Sequence, residues 1–246
     1  MAFAGADSSS PITQQQFDFA AGRLGMSALV WGRYFNGWHT TSSEYVASEA
    51  AFFSANNLKL LPVAQQTTEV QKADNAASHA RMNVQKFFSR VGLDRLLANG
   101  NEYLMFLDIE DDAATHSPVM TSEYFVNWSQ ALIEESQAQS NNRITVLPAI
   151  YGRHNSVQTW QVLAEAVGAG AGCRAAWITR AFNDGCTRPL PDWNAELNFL
   201  TPAVALSCPI VVWQYGIDCG GGAVDLNLIT ADDDDRKFLL DRLIVP

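Results

Sequence analysis

Apolar runs rich in β-branched and aromatic residues recur along the chain, and stretches of helical period separate them. The runs near Ala2–Ala6, Ala28–Phe35, Leu58–Gln65, Tyr103–Glu110, Ile144–Tyr151, Ala175–Ala181, Ile210–Ile217 and Ala223–Leu228 predict eight strands. Between them, Ile12–Leu24, Ser43–Asn56, Asp74–Ala98, Ser122–Gln139 and Val157–Val167 predict helices, followed by a weaker one over Asn194–Leu206 and a last one from Asp233 to Leu243. Strand-then-helix alternation specifies a parallel sheet with crossover helices. The last two strands depart from it, because the Gly-rich DCGGG between Ile217 and Ala223 is too short for a parallel crossover. The fold class expected is therefore α/β, a closed (β/α)8-like TIM barrel with an irregular C-terminal third. Neither GxGxxG nor GxxxxGK[ST] follows any strand, which argues against an open doubly wound nucleotide-binding sheet. No linker, low-complexity tract or repeat divides the chain, so residues 1–246 are expected to form a single barrel domain.

One strand ends unusually. In LMFLDIE, Leu104, Phe106, Asp108 and Glu110 share one face while Met105, Leu107 and Ile109 share the other. Both faces begin apolar and one turns acidic, as in a strand buried on both sides whose C-terminal end opens onto an active site. Asp111 and Asp112 behind it suit a loop or a helix cap. The run Asp232–Asp235 reads as acids placed against a helix N-terminus.

Net charge narrows the function classes. With 16 basic and 26 acidic residues the chain carries −10, so its overall field repels a phosphate backbone, and no nucleic-acid partner is expected. Arg81, Lys86, Arg90 and Arg95 fall on an amphipathic helical pattern and read as a solvated face. No run of eighteen apolar residues exists, so no membrane partner is expected, and a monomer is the expectation for the assembly. The start MAFAGADSSS has neither the basic residues nor the apolar stretch of a secretory signal, and the localisation stays open. His39, His79, His116 and His154 lack ligand spacing, so no metal or cofactor is expected; His154, just past a strand end, is a weak binding candidate.

Three stretches together resemble a known family. GADSS at Gly5–Ser9, FLDIE at Phe106–Glu110 and VVWQYGID with GGAVDLN near the end are similar, in order and spacing, to motifs of the glycoside hydrolase family 25 lysozymes. WGRYFNGW and AIYGRH resemble still more the related family 25-like glycoside hydrolase domains of unknown function. The resemblance runs from Gly5 to Asn227 and implies a barrel whose C-terminal mouth binds a polysaccharide, peptidoglycan or a related N-acetylated glycan, outside the cell or in the periplasm. It also implies an acidic cluster of Asp7, Asp108, Glu110 and Asp225, with Gln214, Tyr151 and Asn227 as neighbouring polar groups; Tyr34 joins them if its strand face points inward.

Glycoside hydrolysis needs a protonated carboxyl for the leaving oxygen and a group that stabilises the oxocarbenium-like carbon. Glu110 fits the acid, its proton retained by like-charge repulsion from Asp108. Asp108 either orients the substrate's own acetamido group or acts in a direct-attack mechanism, and the sequence leaves both open. Two other function classes also remain: a glycan-binding barrel without turnover, and a metal-dependent phosphoester hydrolase with the same four acids as oxygen ligands.

The four cysteines flank strands. Cys173 precedes the sixth and Cys186 follows it, while Cys208 precedes the seventh and Cys219 follows it, so each sequential pair is separated by a strand about 25 Å long at roughly 3.3 Å per residue. A disulfide needs Cα atoms within about 7 Å, which pairs Cys173 with Cys208 at the barrel bottom and Cys186 with Cys219 at its mouth. Four free thiols in a reducing compartment are the alternative.

Overall fold

The protein was analysed as a computed structural model that describes residues 2–36, 44–65, 69–109 and 120–246. Among these residues the strands β1 (Phe3–Asp7), β2 (Val30–Tyr34), β3 (Lys59–Gln65), β4 (Glu102–Ile109), β5 (Thr145–Arg153), β6 (Ala176–Thr179), β7 (Ile210–Asp218) and β8 (Val224–Ile229) close into a barrel in chain order. Neighbouring pairs from β1 to β7 are parallel, whereas β8 runs antiparallel to both β7 and β1. The DCGGG stretch dictates this reversal. Asp218, Gly220, Gly221 and Gly222 take φ of 56°, 63°, 83° and 86°, a left-handed path that glycine follows without a Cβ penalty, and the chain turns back within one helical turn, α8 (Cys219–Gly222).

Alternation along each strand builds two apolar layers. Leu104 and Phe106 pack inside the barrel with Leu61, Val63, Leu147 and Trp177, while Met105, Leu107 and Ile109 face outward against the helices. Trp31, Trp213 and Tyr215 also point outward and are fully buried, so they are packing residues rather than a sugar platform. Side chains of this size are stabilised by about 1.5–3 kcal/mol each on full burial.

The helices α1 (Gln14–Leu24), α2 (Ala50–Ala55), α3 (Ala73–Val91), α4 (Leu93–Asn99), α5 (Ser122–Gln139), α6 (Val157–Gly168), α7 (Leu197–Leu200) and α9 (Asp233–Asp241) cover the barrel. Thr13 and Gln16 form a reciprocal capping box at the start of α1, and Gly25, with φ of 68°, ends it. The helix predicted over Asp74–Ala98 is split at Gly92, whose φ of 96° cannot continue a helix. The one predicted over Asn194–Leu206 shrinks to α7, since Thr201 precedes Pro202 and is held in extended backbone. The predicted start at Ser43 lies outside the described residues; the turn into α2 is a 3-10 segment, Ala47–Glu49. Asp232 caps α9 by accepting from the N–H groups of Asp234 and Asp235.

The basic residues of α3 do not form the simple solvated face expected of them. Lys86 and Arg90 both reach the carboxylate of Glu44, which is buried, while Arg81 approaches Glu135 at 3.9 Å. Beside this clamp the buried Arg33 donates to Glu49 at 3.0 Å, to the Ser8 carbonyl at 2.7 Å and to the Glu44 carbonyl at 3.0 Å. Trp31 Nε1 donates to Ser8 Oγ at 2.9 Å. These bonds hold the loop that leaves β1 and so the position of Asp7 at its root.

Cys186 and Cys219 are joined, their Cα atoms 5.2 Å apart, tying the loop after β6 to the end of β7. Cys173 and Cys208 are free thiols with sulfurs 3.3 Å apart at the opposite end of the same two strands. The hydrogen bond to Cys208 and burial push the Cys173 thiol well above its usual range, which makes it a weak nucleophile.

Two expected outcomes test this description. The Cys186–Cys219 link spans 33 residues, for which loop entropy assigns about 3–4 kcal/mol, so Cys186→Ser should lower the midpoint of thermal unfolding by roughly 10 °C. His79, buried on α3 with Nδ1 2.8 Å from the Tyr124 hydroxyl, has a pKa lowered first by burial. The unfolded chain therefore takes up this proton before the folded one does. Stability from this residue is intact above about pH 6.5 and falls as the pH drops below that value. Urea titrations at pH 7 and pH 5 should show a smaller loss for His79→Gln than for the parent protein.

Candidate active site

The C-terminal ends of the parallel strands and the start of β8 meet at one mouth, where inward-facing polar residues replace the apolar layer below. On β1 inward parity falls on Phe3, Gly5 and Asp7; on β8 it falls on Asp225, Asn227 and Ile229, with Asp7 opposite Asp225 and Gly5 opposite Asn227. Asp108 continues the inward face of β4, 1% exposed, between Gln65 of β3 and Tyr151 of β5. Tyr151 in turn pairs with Trp177, and Gln214 of β7 lies opposite Asn227.

These side chains form a directed hydrogen-bond network. Tyr151 donates its hydroxyl to Gln214 Oε1 at 2.7 Å, which turns the Gln214 amide N–H groups toward Asp225 Oδ2 at 2.9 Å and Asp7 Oδ2 at 3.3 Å. Trp177 Nε1 donates to Asn227 Oδ1 at 3.1 Å, which turns the Asn227 amide N–H toward Asp7 Oδ2 at 2.6 Å. The backbone N–H of Asp218, in its left-handed conformation, donates to Asp225 Oδ1 at 2.6 Å. The Trp177 indole can only donate, which fixes the Asn227 amide, and the Asp7 and Asp225 carboxylates can only accept, which turns the Gln214 N–H groups to them and its oxygen to Tyr151. The rings of Tyr151 and Trp177 lie 4.7 Å apart and Phe106 meets Trp177 edge-on at 6.0 Å, giving the network an apolar floor.

Five of the residues proposed from the sequence, Asp7, Tyr151, Gln214, Asp225 and Asn227, thus come together in one network. Asp108 joins the same inward layer. Tyr34 faces inward two residues beyond Gly32 at the mouth end of β2, half-buried against the interior cluster. Glu110 lies outside the described residues. Among the described residues, no three or more His, Cys, Asp or Glu side chains come together to hold a metal ion.

Trp177 was not singled out from the sequence, although its inward parity in AWIT could have pointed to it. Gly32 was also missed. A Cβ there would stand 2.6 Å from Asp7 Cβ and 3.0 Å from the Trp177 ring, so the absent side chain leaves the space that both occupy.

The architecture is a closed α/β barrel, with acids and amides converging at the strand-end face where barrel enzymes keep their chemistry. Solved structures agree. An uncharacterized B. stearothermophilus protein superposes with a TM-score of 0.69 at 22% identity, over 98% of this chain and 100% of its own. The muramidase from Acremonium alcalophilum matches with a TM-score of 0.54 at 18% identity, over 97% and 99% of the two chains. A family GH25 lysozyme from Aspergillus fumigatus matches with a TM-score of 0.52 at 12% identity, over 97% and 99%. At these identities the likeness is one of fold, and the fold is that of the family 25 lysozymes. No family model matches the chain, and no curated protein sequence matches it significantly.

Gly32→Ala should destabilise the protein by about 1–3 kcal/mol through overpacking of Asp7 and Trp177, measured by denaturant unfolding. Unchanged stability would show that the two side chains relax freely, contrary to a preassembled mouth.

Proposed function

We propose that the protein is a glycoside hydrolase that cleaves peptidoglycan glycan strands as a retaining, N-acetylmuramidase-like enzyme. The observation that carries the reading is the preoriented network at the mouth, two carboxylates held by fixed amides beside the inward-facing Asp108, on a fold that muramidases share. Glu110, two residues after Asp108 in the sequence, is the proton donor to the glycosidic oxygen. Asp108 keeps that carboxyl protonated by like charge and either orients an acetamido nucleophile or stabilises the oxocarbenium-like carbon directly.

Asp7, Asp225, Gln214, Tyr151 and Asn227 bind the sugar and keep the mouth's charge and shape. Their bonds to one another are made before substrate arrives, so little reorganisation is needed at the transition state. The substrate is a polysaccharide and no cofactor takes part.

Digestion of purified peptidoglycan with product analysis tests the proposal. Glu110→Gln should reduce cleavage to background while leaving thermal stability unchanged, because the amide keeps the shape and removes the proton. Asp108→Asn should cost two or more orders of magnitude, since such carboxylates act as a unit. Cleavage should persist in EDTA; its loss there would favour the metal-dependent phosphoester hydrolase. Tight glycan retention without released fragments would identify a binding barrel instead.

A further inference from the structure

The turn between β7 and β8 carries one of the donors of the mouth. The two carboxylate oxygens of Asp225 are served from different places: Oδ2 by the Gln214 amide at 2.9 Å, inside the network, and Oδ1 by the Asp218 backbone N–H at 2.6 Å, on the solvent-facing turn. Strand pairing stops short of the second donor. Gly216 opposite Leu226 is the last ladder pair of β7 with β8, and Ile217 and Asp218 run past it, both exposed. Asp218 and the glycines at 220–222 all take left-handed φ, which a Cβ disfavours at Asp218 and from which the glycines have the widest choice of escape. Beyond the ladder, the turn is closed at Cys219, which bridges to Val224 and whose carbonyl accepts the Ala223 N–H at 3.0 Å.

Cys219 is in turn fixed by its link to Cys186. It is 1% exposed beneath the turn, while Cys186 is half-buried on the connection from β6 to β7. That connection is seated on β7. The Phe182 N–H donates to the Tyr215 carbonyl at 3.0 Å, and Gly185 lies so close that a Cβ on it would stand 2.3 Å from the same carbonyl oxygen. The disulfide carries this rigid seat across to the turn, one residue from Asp218.

We propose that Asp218 is a positioning residue for Asp225 and that the Cys186–Cys219 disulfide gates it, holding the backbone donor in place when oxidised and releasing it when a dithiol reduces the pair. A thiolate of the dithiol attacks the half-buried Cys186 sulfur, the S–S bond breaks, and the electron pair leaves on Cys219, which takes up a proton. The second thiolate of the same reductant then displaces the Cys186 thiolate, which is protonated in turn, and the reductant departs as a cyclic disulfide. The seat on β7 remains, but the left-handed turn is free to rearrange, and water replaces the Asp218 N–H at Asp225 Oδ1. Gln214 keeps the other oxygen, so the carboxylate stays in the mouth with one of its fixed donors gone. The effect on turnover rests on the glycan reading above and adds to it a dependence on redox state.

Amide hydrogen exchange and peptidoglycan cleavage, measured on the full-length protein before and after dithiothreitol, test the gate at a temperature where circular dichroism shows both forms folded. Reduction should strip protection from the Asp218 amide and leave it on the Arg180 amide, which donates to the Gln214 carbonyl at 3.1 Å. The kcat/KM for cleavage should fall about tenfold, the lower end of what a hydrogen bond to a charged group is worth, and recover on reoxidation. Cys186→Ser/Cys219→Ser should cleave at the reduced rate and ignore dithiothreitol. Cys173→Ala/Cys208→Ala, which removes the thiol pair at the barrel bottom, should respond as the parent does; loss of the response there assigns it to that pair and overturns the gate. Asp218→Val, whose branched side chain resists the left-handed region, should be slow even when oxidised, and Asp218→Gly, which keeps both the N–H and the path, should cleave faster than Asp218→Val. Unchanged Asp218 protection after reduction overturns the proposal, as does equal cleavage by the two redox forms. If the oxidised protein releases no glycan while Asp218 still loses protection, the glycan reading fails and the coupling of the disulfide to Asp225 stands.

Discussion

A buried carboxylate must be given donors or it destabilises the protein that contains it, and Asp7 is 5% exposed at the end of the first strand. Its donors come from the far end of the chain, Asn227 and Gln214, 220 and 207 residues away in sequence. The last strand has to lie beside the first for this to happen. The antiparallel return of β8 through the left-handed glycine turn is what brings it there. Closure of the barrel and assembly of the site are therefore one event.

The same constraint orders the surrounding chemistry. Gln214 serves both Asp7 and Asp225, so its amide must be held by Tyr151; Asn227 serves Asp7, so its oxygen must be held by Trp177. Tyr151 and Trp177 then pack on each other and on Phe106. Gly32 supplies the room for this cluster, and the Arg33–Glu49 ion pair, with Arg33 also donating to the Glu44 carbonyl, stiffens the wall behind it. A polar site inside a barrel is stable here because each amide is oriented by a neighbour, which is the condition under which buried polar networks rigidify rather than weaken a core.

Charge is distributed with comparable economy. Acids and amides meet at the mouth, while Arg153, His154 and Arg180 occupy the exits of β5 and β6 immediately beside it.

Period and parity were determined by the sequence alone. The alternation of Leu104, Phe106 and Asp108 against Met105, Leu107 and Ile109 is a property of extended backbone, and it assigned the inner and outer layers of β4 before any contact was known. The shortness of DCGGG likewise ruled out a parallel last strand. Helix ends were less legible, because Gly92 and Thr201 interrupt apolar periods that continue past them. What only the tertiary structure decided was pairing across the chain: which amide faces which carboxylate, that Trp177 supports Asn227, that Lys86 and Arg90 clamp Glu44, and that Arg180 stands beside Gln214. Those contacts join residues tens to hundreds of positions apart, and their geometry is set by barrel closure, which no local pattern encodes.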